Sequence, residues 1–405
     1  MLRFEKREKT PIALRVLVPV LSVLLGLLVG SVVMLFARVN PVRVYGAIVK
    51  GAFGSAYTFS ETLVIAVPLI LISTGLCLVY RMKFFNIGAK GQYIIGAICG
   101  SYLALFGPAT MSRPLLLTMM LLMGTLGGAV WAVIPALLKV YWNVNEIIAT
   151  LLLNYIASYI LWFFMYGTWR DPGSHGFPLS KNFALNAQLP RILAAPSRLH
   201  IGLFFGLAAA LIVWIIIRKT RFGYEARVLG ENERAARYAG INVFKTVIIA
   251  AVISGGLAGL AGIAHTSAVL RVLQLEINSD YGYTAIIVAW LAGLDPLVAV
   301  GVSVLLAALE AGGYQIQIVM RVPFGIVGVI ESSILFCLLA GEIITHYRVT
   351  LTRRLGTPTG NTPRIGQKGS GALKNNSETP LALDKRARGR PGQNDARNEG
   401  ARGAV

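Results

Sequence analysis

Uncharged stretches long enough to cross a bilayer recur along most of this chain. A span needs about 20 apolar residues, because the hydrocarbon core is roughly 30 Å thick and a helix rises about 1.5 Å per residue. Cutting the sequence at its charged residues leaves such runs at 16–36, 62–80, 91–112, 114–138, 147–169, 199–217 and 246–270. The first follows a basic start carrying Arg3, Lys6, Arg7, Lys9 and Arg15, as a signal peptide would. Its apolar stretch is too long for one and no A-x-A site follows, so it reads as a signal anchor.

The last third has a different rhythm. Asp280, Asp295, Glu310, Arg321 and Glu331 divide it into apolar pieces too short to cross alone. Residues 281–294 would make only about 21 Å of helix. Three spans near 280–294, 296–313 and 322–345, joined to flanking residues or broken, bring the total to about ten and put both termini on one side. The expected fold is an all-α polytopic membrane protein.

Charge then orients the chain. With the N-terminus in the cytoplasm, the inner segments hold 28 of the 38 Lys and Arg residues, and without the C-terminal tail still 16 against 10. The weak point is 38–50, which puts Arg38, Arg43 and Lys50 on the outer face. The resulting map has a cytoplasmic N-terminus at 1–15, a transmembrane domain at 16–345 with an external loop at 170–198 and a cytoplasmic loop at 218–245, and a basic cytoplasmic tail at 346–405. The external loop, with several prolines and little periodicity, could form a small cap that meets an external partner. The tail is rich in Gly, Pro, Asn, Arg and Lys and almost free of aromatic residues. It cannot bury enough apolar surface to offset its chain entropy, which predicts disorder.

Composition removes other classes. Charged residues make up 14% and hydrophobic residues 55%, against about 25% charged in soluble proteins. The net charge of +20 sits mostly in the inner segments, so nucleic-acid binding is not needed to explain it. Cys77, Cys99 and Cys337 lie far apart in apolar runs and read as packing residues, and His175, His200, His265 and His346 are scattered singly. Neither set has metal-ligand spacing, so no metal is expected. No convergent His, Asp or Ser set marks an enzyme.

The cytoplasmic loop is the most informative stretch. Asn232 is placed to cap a short helix, Glu233 falls in its first turn and Gly240 is placed to close it in the left-handed conformation. Between them Ala235, Ala236 and Ala239 leave one side nearly bare, framed by Arg234 and Arg237, which suits docking on another protein. A helix lying on the membrane surface would carry a larger apolar face. In the following run Gly255 and Gly259, with Ser254, Ala258 and Gly262, recur at i and i+4, a spacing that lets helices pack closely in lipid.

Polar residues at membrane depth tend to face a cavity or a partner. Candidates for a pathway are Asn86, Gln92, Asn154 and Glu331, with Asn145, Glu146 and Glu310 beside them. For Asn154 two readings stand, lining a pathway or an interhelical hydrogen bond. Glu331 is the sharpest case, since 322–341 otherwise reads as one span. Gly88 and Gly91 permit a break between helices, and a second interruption follows at Asp280-Tyr281-Gly282-Tyr283-Thr284. Two such breaks hint at duplicated halves.

At Phe85-Asn86-Ile87-Gly88-Ala89-Lys90-Gly91-Gln92, at Asn145-Glu146-Ile147-Ile148-Ala149-Thr150 with Leu153-Asn154-Tyr155, and at Gly230-Glu231-Asn232 with Ala235-Ala236-Arg237-Tyr238-Ala239-Gly240-Ile241, the chain resembles permease subunits of ABC importers in the branched-chain amino acid/ribose group. Within that group it is most similar to the longer permease of nucleoside importers. The resemblance implies that 223–241 holds the helix that couples to a cytoplasmic ATPase subunit, with Gly223, Glu225, Gly230, Glu231, Asn232, Ala235, Ala236, Arg237 and Gly240 in it. It also implies a second, related permease, and hence a heterodimer, together with an external solute-binding lipoprotein and the bacterial cytoplasmic membrane. The chain has no G-x-x-x-x-G-K-[ST], so ATP would be bound by the partner and this chain would carry no cofactor. Three positions depart from the family pattern: Lys90 replaces an acidic residue, Glu331 a Gln, and Asp295 an Asn. The charge count puts Lys90 at the membrane edge. The solute implied is a nucleoside, with simple sugars and branched-chain amino acids as alternatives and a proton-driven secondary transporter as the rival class.

Overall fold

A computed structural model describes residues 2–6, 12–36, 38–108, 110–193, 196–275, 277, 280–320, 323 and 325–351. A strand, β1 (Leu2–Lys6), leads into α1 (Ile12–Phe36), α2 (Pro41–Phe53), α3 (Ala56–Arg81), α4 (Ala89–Phe106), α5 (Arg113–Trp142) and α6 (Glu146–Tyr166). After a long connection come α7 (Gly202–Lys219), α8 (Arg221–Glu231), α9 (Glu233–Tyr238), α10 (Val243–His265), α11 (Tyr281–Leu291), α12 (Pro296–Met320), α13 (Gly325–His346) and β2 (Tyr347–Leu351). Each of the ten expected spans holds a helix. Among the described residues, α3, α5, α6, α7, α12 and α10 with its π-helical extension Thr266–Leu270 are long and apolar enough to cross a membrane on their own. The chain divides into two units, Met1–Thr352 and Arg353–Val405. The second unit, with nearly all of the tail expected to be disordered, lies outside the described residues.

Where a loop was expected at 38–50, the chain forms α2. Asn40 accepts hydrogen bonds from the N–H groups of Val42 and Arg43, and Pro41 supplies a first helical residue that has no N–H to satisfy. The new helix turns by 119° from α1. It buries Val44, Ile48, Gly51 and Ala52, while Arg43 and Lys50 stay exposed. Close approach to α12 explains Gly51, where an added Cβ would stand 2.6 Å from the Gln315 Cβ.

The centre of the bundle is α3, buried along almost its whole length and flanked by α2, α7, α10, α11 and α12. Beside it α4, α5 and α10 meet through bare backbone. A Cβ on Gly96 would lie 2.2 Å from the Gly259 Cα, one on Gly255 2.5 Å from the Gly128 carbonyl oxygen, and one on Gly262 2.1 Å from that of Tyr93. In lipid such contact is a main source of cohesion, because the hydrophobic effect does not draw helices together there. The external segment 170–198 buries Phe183, Ala187 and Leu189 over α5 and the end of α10, and Ser180 exchanges two 2.9 Å hydrogen bonds with Leu273. At the other extremity of the chain α1 runs antiparallel to α13, with Gly26 against Ile334 and Gly30 against Ile330. The strands pair antiparallel from Leu2 opposite Leu351 to Lys6 opposite Tyr347, so the first and last described residues lie together.

Candidate functional site

The 82–88 segment between α3 and α4 turns back into the bundle. Its backbone groups are met by side chains: the Ile87 N–H donates to Thr150 Oγ1 (3.2 Å), Asn154 Nδ2 to the Ile87 carbonyl (3.0 Å), and the Gly91 N–H to Asn154 Oδ1 (2.8 Å). The Tyr80 hydroxyl donates to the Asn86 carbonyl at 3.0 Å, and the Asn86 and Gln92 amides exchange two bonds of 3.1 Å. Non-helical backbone survives at membrane depth only where protein satisfies it in this way. Asn86, Gln92 and Asn154, expected on a pathway, are therefore buried to 1–2% exposure and engaged in holding this segment. For Asn154 the interhelical hydrogen bond is what the geometry displays.

The same segment carries Lys90 inward. Asn154 is eight residues, about 12 Å, into α6. Gly259, which touches Gly96, is sixteen residues, about 24 Å, along α10. Lys90, six residues before Gly96, thus lies about 15 Å from the α8–α9 end of the bundle, near the middle of a ~30 Å hydrocarbon layer. This corrects the edge position that the charge count assigns it.

At that depth the two glycine breaks meet. Gly282 lies so close that a Cβ there would stand 2.4 Å from the Lys90 nitrogen. Lys90 Nζ is 3.2 Å from Asp280 Oδ1 and 5.2 Å from the centre of the Tyr283 ring. The Asp280 side chain is 78% exposed in the single chain. A carboxylate at mid-depth costs about 2.5–3.5 kcal/mol on insertion scales, so this face belongs against water or another subunit, not lipid. Next to it Asp280, Tyr281, Thr284, Glu310, Gly328 and Glu331 surround a pocket of about 110 Å³. Of the sequence candidates, Glu310 and Glu331 are brought into this charged cluster.

A larger cavity, about 460 Å³, opens at the end opposite α8 and α9. Glu61 and Arg198 stand at its mouth: Arg198 donates to the Glu61 carboxylate from its backbone N–H (3.3 Å), from Nε (2.9 Å) and from Nη2. That partner holds the Arg198 guanidinium above its ordinary pKa. Tyr57, His265, Tyr281, Tyr314 and Gln315 form much of the wall. The Tyr93 hydroxyl lies 2.6 Å from His265 Nδ1, and the Tyr281 ring meets the imidazole edge-on at 5.4 Å. Tyr281 also borders the acidic pocket, and Tyr314 hydrogen-bonds Glu310. Sequence reading misses this cavity. Its one signal is that Glu61 and Arg198, of opposite charge, each stand one residue before an apolar run on the same side of the ten-span map.

At the other end α8 and α9 form the loop expected to dock. The Asn232 side chain accepts from the Arg234 and Ala235 N–H groups, and Gly240 takes a φ of 74°. The Gly240 N–H reaches the Arg237 carbonyl and the Ile241 N–H that of Ala236, a double closure of the helix end. Three residues of the implied coupling stretch face inward. A Cβ on Gly223 would lie 2.2 Å from the Ile216 carbonyl oxygen, one on Gly230 1.8 Å from that of Arg81, and Ala236 is fully buried. A helix this short has to bury one face to stay attached, and the alanine nearest the body is the one used. Glu231, Asn232, Ala235, Arg237 and Gly240 remain exposed with Tyr238, at 92%, while Glu225 is half-buried and pairs with Arg221 at 3.0 Å.

Comparison with known proteins gives these features a context. Residues 58–340 match the family of the branched-chain amino acid transport system permease component. The chain is 32% identical over 357 residues to the glucose ABC transporter permease protein TsgB13 of Haloferax volcanii, covering 86% of this chain and 93% of that one. It is 31% identical over 322 residues to the guanosine ABC transporter permease protein NupP of Bacillus subtilis, covering 79% and 91%. It is 30% identical over 337 residues to the nucleoside ABC transporter permease protein NupB of Lactococcus lactis, covering 82% and 92%. The mid-depth charges, the satisfied re-entrant backbone and the family match agree: the chain is a multi-pass membrane protein that belongs to the branched-chain amino acid transport system permease family.

Proposed function

We propose that this chain is the transmembrane permease subunit of an ABC importer that carries nucleosides across the cytoplasmic membrane. It would work without a cofactor of its own, driven by ATP bound to a separate cytoplasmic ATPase subunit. The observation that carries this reading is α9: a helix capped at both ends, seated by Ala236, and offering Ala235, Arg237, Tyr238 and Ala239 to solvent. A transporter driven by ions alone has no use for such a surface. In this reading both termini and the tail at 346–405 are cytoplasmic, and the external segment 170–198 receives solute from a binding lipoprotein. A second, related permease completes the pathway across the face bearing Lys90 and Asp280. Glu231, Asn232 and Gly240 set the pose of α9, and Glu225, Gly223 and Gly230 fix α8 beneath it. Asn86, Gln92 and Asn154 act as the pathway's scaffold, and Glu331 lines it.

The nucleoside assignment rests on NupP and NupB, whose names specify guanosine and nucleosides, whereas that of TsgB13 specifies glucose. The acidic pocket at Glu310 and Glu331 favours a second reading, proton-driven transport. One uptake experiment separates them. Cells lacking the chain and cells with it restored are given labelled uridine, guanosine or glucose, with an uncoupler present and ATP maintained. Uridine or guanosine uptake that survives the uncoupler is the expected result. Uptake of glucose alone would replace the solute, and loss with the proton gradient would end the ATP-driven reading.

The docking surface is tested separately. Ala239→Trp, on the exposed side, is expected to reduce uptake at least about tenfold with the amount of chain in the membrane unchanged, since a steric loss near 1.4 kcal/mol already gives that factor. Uptake within twofold of the parent would remove α9 from the coupling role.

A further inference from the structure

We propose that the cavity behind the Glu61–Arg198 pair is the permease's own solute site and that it takes an uncharged nucleoside; the solute class rests on the importer reading above, the site on the following geometry. At about 460 Å³ the cavity falls within the roughly 300–1,000 Å³ of small-molecule sites. Its formal charges are Glu61 and Arg198, and they neutralise each other at the mouth. A zwitterionic amino acid or a phosphate ester would need an unspent counter-charge, and the described lining offers none. A neutral solute loses nothing by entering.

The walls select shape. Tyr57, Tyr281, Tyr314 and His265 present rings, and Val64, Ile65 and Leu270 complete an otherwise apolar surround. A planar base stacks on such rings and satisfies its edge with few hydrogen bonds. A hexose, hydroxylated all round, would leave most of its hydrogen-bonding groups unmet there, at a cost for each. Gln315 and the Glu61–Arg198 pair in the lining can meet ribose hydroxyls. Leu270 and Val269 come from the π-helical turn Thr266–Leu270, a departure from α-helix of the kind that recurs at functional sites. Tyr281 forms the wall of this cavity on one side and that of the mid-depth acidic pocket on the other, so its ring separates the two.

The test uses the whole transporter in cells, with Cys77, Cys99 and Cys337 replaced by alanine. Ile65→Cys, one helical turn inside Glu61, and Gln315→Cys on the facing helix are each labelled from outside with a membrane-impermeant maleimide, while uridine uptake by the parent is followed in parallel. Both positions should label, and uridine or guanosine should slow labelling about tenfold at roughly ten times its dissociation constant, by mass action, with glucose without effect. No labelling at either position, or labelling unchanged by nucleoside in cells that take up uridine, overturns the site and leaves the importer reading standing. Protection by glucose alone overturns the nucleoside assignment and keeps the site.

Discussion

Lys90→Asp should bring uptake down to background, and adding Asp280→Lys should recover part of it. The single change sets two carboxylates against each other where an ion pair of 3.2 Å stood. At about 4 Å and an effective dielectric near 20, an attraction of up to about 4 kcal/mol gives way to repulsion, and loss of the attraction alone is close to a thousandfold in any equilibrium that needs the pair. The exchange restores opposite charges, though the shorter aspartate reaches less far and loses the contact with Tyr283. The measurement is initial uptake normalised to chain in the membrane. A single variant with half the parent's uptake would mean that the pair has no part in the pathway. The placement of Lys90 makes the expected effect large: at a membrane edge, water and salt would screen the same reversal to a fraction of this.

Gly259→Leu is expected to remove the protein from the membrane. An added Cβ would stand 2.2 Å from the Gly124 carbonyl oxygen and 2.9 Å from the Gly128 backbone, and neither can yield without parting α10 from α5. Overpacking a tight core ordinarily costs about 1–3 kcal/mol. Here the obstacle is main chain, and the surrounding helices meet at glycines on several sides, so accumulation below about a tenth of the parent is expected. Gly301→Leu is the control, because a Cβ at Gly301 meets nothing within 4 Å. Equal amounts of the two variants by immunoblot would show that the glycine contacts are dispensable.

What could be read from the sequence divides along the range of the interaction. Seven of the ten expected helices follow from the lengths of uncharged runs, and the ends of α9 follow from Asn232 and Gly240, whose capping chemistry is local. Which alanine of α9 turns inward is not local: Ala236 and Ala235 are chemically identical, and what separates them is where the body of the protein lies. The re-entry at 82–88 was legible as a break at Gly88 and Gly91 but not as a descent to mid-depth. That depth is set by Asn154 and Thr150 on a helix more than sixty positions away. The helix α2 escaped a reading based on spans because thirteen residues cannot cross a bilayer. The cavity at Glu61 and Arg198 draws its walls from six separate stretches of the chain, and no single stretch carries its signature.

The antiparallel match of α1 with α13 and the packing of α2 against α12 constrain the order in which the protein can be finished. Gly51 and Gly312, which pack α2 and α12 together, are 261 positions apart. At about 5–20 residues per second of synthesis, roughly 13–52 s separate their emergence from the ribosome. During that interval the first two helices, whose buried faces are shaped for partners not yet made, must wait in the membrane with lipid or the insertion machinery against them. The bundle therefore closes like a ring, from its two ends, only when the last helices arrive.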